Sequence, residues 1–103
     1  MAQPNANLPV ILNVGVAAPG TAEQIASHPV LDGVPVVVTA RTSNTGNMYV
    51  ATSQSAAQSG AREVFGFGRA ASYFIDNTNR LWVDADNAND RLEIRIPKEE
   101  APS

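Results

Sequence analysis

The feature that most constrains this chain is a strict alternation of apolar and polar side chains, repeated in several short stretches. It is cleanest in "RLEIRIP", where Leu92, Ile94 and Ile96 fall on one side and Arg91, Glu93 and Arg95 on the other. A period of two is the signature of a strand with one face on a core and one in water. The same period runs through "VPVVVTAR", with Val36, Val38 and Ala40 opposed to Val37, Thr39 and Arg41. It recurs in "NMYVAT" (Met48 and Val50), "REVFGFG" (Phe65 and Phe67 against Val64), "ASYFID" (Tyr73 and Ile75) and "RLWVDA" (Leu81 and Val83). "VILNVGV" places Val10, Leu12, Val14 and Val16 together. Gly, Asn and Asp turns separate these runs, so the sequence predicts an all-β fold: a small antiparallel sandwich or barrel of six to seven short strands.

Around that unit the chain divides simply. Residues 1–20 begin "MAQPNANLP", without periodicity, and read as an extended N-terminal arm. Leu8, Val10 and Leu12 are the apolar residues through which such an arm would touch a partner. The β-domain spans 21–97, and 98–103 is a solvated tail after Pro97, which cannot donate to a ladder. One short helix is predicted from Thr21 as N-cap, with Gln24 completing a capping box and Pro29 ending it. The apolar stretch from Leu8 to Val16 lacks a preceding positive charge and is broken by Asn13 and Gly15. It therefore reads as an arm or strand rather than a signal peptide or a membrane span.

The stretch "SNTGNMYVA" reads as a hairpin turn between the strands that flank it. Asn44 and Thr45 would bond local main chain, and Gly46 would take the left-handed position of a G1 bulge.

Chemistry is sparse. With 103 residues, no cysteine and one histidine, the chain has no thiolate and no Cys-ligated metal site. His28 precedes a proline and has no nucleophile motif around it. Gly66 and Gly68 form only part of a dinucleotide fingerprint and return to strand alternation, which favours a bulge or close backbone packing. "DADNAND" offers Asp84, Asp86 and Asp90 as hard oxygens, but Ala88, Asn89 and Arg95 stand where a calcium loop needs an oxygen ligand, a glycine and a bidentate glutamate. A polar turn is the favoured reading. No enzyme activity, metal or cofactor is expected. A net charge of −3 with seven scattered Lys and Arg residues argues against nucleic acid. Trp82 and Phe74 lie opposite the aliphatic faces of their strands, which marks them as the aromatics available to a partner.

Residues 34–96 resemble short structural proteins of tailed bacteriophages. The pieces that carry the likeness are "VPVVVTAR", "NTGNMYVA", "SQSAAQSGA", "YFIDNTNRLWVDAD" and "DRLEIRIP". "GAREVFGFGRAASYFI" departs from the regular turn expected before the middle strand. The resemblance implies a virion protein: a capsid decoration (cement) protein, forming a homo-oligomer and binding the major capsid protein. A tail, neck or fibre-base component is the alternative. From the residues alone, a small carbohydrate-binding module stacking a sugar on Trp82 is a further one. Neither nucleic acid nor a membrane is expected as a partner in any of the three.

Overall fold

A computed structural model describes residues 10–96. In chain order its elements are β1 (Val10–Val14), β2 (Glu23–Gln24), β3 (Val36–Ala40), β4 (Met48–Ala51), α1 (Gln54–Ser59), β5 (Glu63–Phe65), β6 (Ala70–Tyr73), a 3-10 turn (Thr78–Arg80), β7 (Trp82–Ala85) and β8 (Leu92–Ile96). The strands form two four-stranded antiparallel sheets, ordered β1-β8-β3-β6 and β2-β7-β4-β5. The fold is therefore all-β, and of the two predicted architectures it is the sandwich. None of the described helices is long and apolar enough to cross a membrane.

The predicted alternation fills the space between the sheets. Val36, Val38, Ala40, Leu92, Ile94 and Ile96 from the first sheet meet Met48, Val50, Phe65, Val83 and Ala85 from the second. All of these are buried, and the residues between them on β3 and β8 are half-buried or exposed. Burial of this kind, at about 25 cal/mol per Å² of apolar surface, is the main favourable term holding the sheets together. Only β4 and β5, with α1 between them, are consecutive strands that pair directly; the other connections pass from one sheet to the other.

Four expectations are corrected. The predicted helix from Thr21 is absent, because Ala22 and Ile25 are buried through extended pairing instead. Glu23 and Gln24 lie opposite Val83 and Trp82, and the Gln24 amide donates to the Asn79 carbonyl (2.8 Å) rather than capping a helix. The helix stands at Gln54–Ser59, where the Ser53 hydroxyl accepts the Ala56 N–H at 3.2 Å and the small side chain of Ala57 packs inward.

The predicted arm over 1–20 is also too long. Val10–Val14 is the edge strand of the first sheet, in register with Leu92–Ile96 of β8. Val10 and Leu12 turn toward the core and pack against it, so they are not free arm contacts. Leu8 lies outside the described residues.

The "SNTGN" turn does not close a hairpin. β3 and β4 belong to different sheets, so the turn carries the chain across the sandwich. Gly46 does not have the positive φ expected of it, which is found at Gly20, Gly33 and Gly68. Finally, Phe67 does not share the buried face with Phe65. β5 ends at Phe65, Gly68 (φ +82°) turns the chain back, and Phe67 is left 69% exposed.

Candidate interaction surface

The two polar loops singled out in the sequence meet in space at one end of the sandwich. The Asn44 side chain, buried between them, makes a two-point bond with Arg91. Its Nδ2 donates to the Arg91 carbonyl at 2.9 Å, and its Oδ1 accepts the Arg91 N–H at 2.9 Å. It thus supplies the donor and acceptor that a neighbouring strand would have offered. Asp90, also buried, accepts the Thr45 N–H (3.0 Å) and the Gly46 N–H (2.8 Å) on its two oxygens. Asp86 accepts the Asn47 N–H (3.0 Å) and the Tyr49 hydroxyl (2.7 Å). Asn87 Nδ2 donates to the Thr45 hydroxyl at 3.1 Å.

This geometry accounts for the acidic residues of "DADNAND". Asp84, Asp86 and Asp90 do not converge on a common point; each caps main-chain N–H groups. Asp84 accepts from Gly20 (2.9 Å) and from Ala85 (2.8 Å). Among the described residues no group of three His, Asp or Glu side chains is arranged to hold a metal ion. Burial alone would raise the Asp90 carboxyl. The N–H groups of Thr45 and Gly46, with the Asn87 and Thr45 side chains, offset that and hold it below the usual carboxylate range. The Tyr49 hydroxyl is shifted upward, first by its bond to the Asp86 carboxylate and then by burial.

Gly46 is needed here for closeness. A Cβ at this position would lie 2.6 Å from Asn87 Nδ2 and 3.0 Å from Asp86 Cβ. Gly46→Ala should therefore destabilise the fold by about 1 kcal/mol in a urea titration. Adding Asn87→Ala, which removes the obstructing amide, should make the glycine substitution cheaper. A Gly46→Ala variant as stable as the parent would mean the loops are not in this contact.

The aromatics marked as available separate into two environments. Phe74, one step past β6, is 73% exposed. Trp82 is half-buried: its indole packs with Ala22, Ala51, Ala56 and Ala57 between the second sheet and α1. The ring is thus partly covered by the helix rather than fully open to a ligand. Trp82→Ala should cost about 2 kcal/mol, less than a full core aromatic because the ring is only partly covered. An unchanged melting temperature would put the indole in solvent. His28 lies in the loop before Val30, its main-chain N–H donating to Thr78 Oγ1 at 2.9 Å.

One apolar position escaped the sequence reading. Ile11, on the outward face of β1, is 58% exposed. The alternation that turns Val10 and Leu12 inward contains that information, since the residue between them must face out. The outer faces of the two sheets differ accordingly. α1 and the Arg62 guanidinium, 3.8 Å above the centre of the Tyr49 ring, cover part of the second. On the first, Ile11, Asn13, Arg95, Ala70, Ser72 and Phe74 are exposed, with Val37, Thr39 and Glu93 half-buried between them.

Comparison of the chain with protein-family models, with curated proteins and with solved structures gave no match.

Proposed function

We propose that this chain is a virion structural protein of a tailed bacteriophage, a capsid decoration protein that binds the major capsid protein as a small homo-oligomer. The observation that carries the reading is where the phage-like pieces fall. "VPVVVTAR" and "DRLEIRIP" supply β3 and β8, the central pair of the first sheet, while "NTGNMYVA" and "RLWVDAD" supply β4 and β7, the central pair of the second. The resemblance thus follows the part of the fold around which everything else is arranged. A rigid sandwich with loops locked by side-chain-to-main-chain bonds suits adhesion to a larger assembly. β1 is a sheet edge, and the segment ahead of it is positioned in sequence to reach a neighbouring subunit by strand addition.

The test is the copy number of this chain in purified particles, by quantitative mass spectrometry against the major shell protein. Hundreds of copies per particle are expected for decoration, and removing residues 2–9 should then weaken rebinding to stripped capsids. A few copies would move the protein to the tail, neck or fibre base. Absence from particles would overturn the virion reading.

A further inference from the structure

We infer that the outer face of the first sheet is the contact between two copies of this chain, related by a two-fold axis that lies in the interface and crosses the strands. Two rows of outward side chains define the face. Register sets Ile11, Arg95, Val37 and Ser72 abreast in one row, and Asn13, Glu93, Thr39 and Ala70 abreast in the next. An axis between the rows lays each row on the other row of the second copy. Arg95 then faces Glu93 of the second copy, and Glu93 faces its Arg95. The ion pairs among the described residues are Arg69–Glu63 and Arg80–Asp76, and neither Glu93 nor Arg95 belongs to one among those residues. An axis running along β8 would instead set arginine on arginine and glutamate on glutamate, and one between β8 and β3 would lay them on Val37 and Thr39 of the second copy, leaving both charges without a partner. Charge therefore selects the first arrangement.

Shape agrees with charge. Phe74 stands one step beyond the first row, at one end of the face. At the other end, one step beyond the second row, is a shallow hollow of about 340 Å³ lined by Thr39, Arg41, Thr42, Gly68 and Glu93. The same two-fold carries the Phe74 ring of each copy toward the hollow of the other. Gly68 leaves room there, and the Arg41 guanidinium is a fitting neighbour for an aromatic face. A hydrophobic residue that is 73% exposed on one copy thereby finds cover.

Strand spacing gives this plane an extent of only roughly 300 Å², well below the ~800 Å² per partner of a standard interface. Association is accordingly weak and visible at high concentration. The inference deepens the homo-oligomer part of the proposed function but not the capsid location, because its test uses the purified chain alone. A monomeric chain that is still abundant in particles would overturn the dimer and leave the virion reading standing.

Sedimentation equilibrium of the full chain up to ~1 mM should show the mass of two chains at the upper end and one at the lower. R95E and E93R should each weaken the dimer by ~10-fold or more, and the double variant E93R/R95E should restore it to within ~3-fold. F74S should weaken it independently of charge. Circular dichroism at low concentration, where the protein is monomeric, checks that each variant is folded. A single-chain mass over the whole range would overturn the inference. So would a dimer indifferent to either charge reversal, or a double variant no better than the single ones.

Discussion

Replacing Phe65 by alanine should lower stability by about 4 kcal/mol, while Phe67→Ala should change it by less than about 0.5 kcal/mol. Phe65 is fully buried and is the largest such side chain among the described residues. It stands in register with Met48, and its ring belongs to the cluster shared by both sheets. Truncation removes transfer free energy and leaves a cavity that two sheets held by their own ladders cannot collapse into. Phe67 has the same chemistry, two residues along the chain, and is 69% exposed. The pair isolates burial from residue type. Since small domains have only about 5–15 kcal/mol in hand, Phe65→Leu, at about 1.5 kcal/mol, provides a milder variant if the alanine protein does not fold. Guanidinium titrations of all three give the ranking. Equal effects at 65 and 67 would mean that β5 runs on through Gly66, as its alternation alone implies.

That contrast marks where the sequence stops being legible. Alternation on β3 and β8 is readable because each side chain there answers one local question, water or interior. Phe67 breaks the rule because the strand ends, and strand ends depend on what the partner strand offers. The "NTG" segment is similar. Its residue types announce a turn correctly, yet which sheet the following strand joins is a long-range property, and turn chemistry does not encode it. The capping pattern at Thr21 is locally sound as well. It loses because Ala22 gains burial against Ala51, Ala57 and Trp82, and Ile25 joins the core with its N–H donating to the Leu81 carbonyl at 3.0 Å, all of them distant in sequence. α1 was hidden for the converse reason: a stretch of Ser, Ala and Gln has too little apolar contrast to show a helical period. For the exposed face, Phe74 was visible from alternation, and Ile11 was visible by the same rule applied one residue over. The acidic loop was recognisable as a source of oxygen ligands. That its oxygens serve main-chain N–H groups of a loop some forty residues earlier could not be read from spacing.

The contact between those loops gives the second large effect. Asp90→Ala should destabilise the fold by about 3 kcal/mol, since it removes two hydrogen bonds to a charged acceptor and leaves the Thr45 and Gly46 N–H groups without one. Asp90→Asn should cost about half as much, because an amide retains one acceptor oxygen where the carboxylate has two. The pH dependence has a defined sign. The folded carboxyl titrates below its ordinary value, so its contribution is fully present above the unfolded value of about 3.9 and is lost as pH falls through the lower folded value. Denaturant titrations of the parent and of Asp90→Asn at neutral pH and near pH 3 should therefore show a gap that narrows on acidification. Every other carboxylate is common to both proteins, so its contribution cancels in the difference. A gap that stays constant with pH would mean the carboxylate charge contributes nothing, leaving shape alone to hold the loops. A gap that narrows assigns the lock to charge-assisted bonds, so that acid weakens the hold between the two loops at the end of the sandwich bearing "SNTGN".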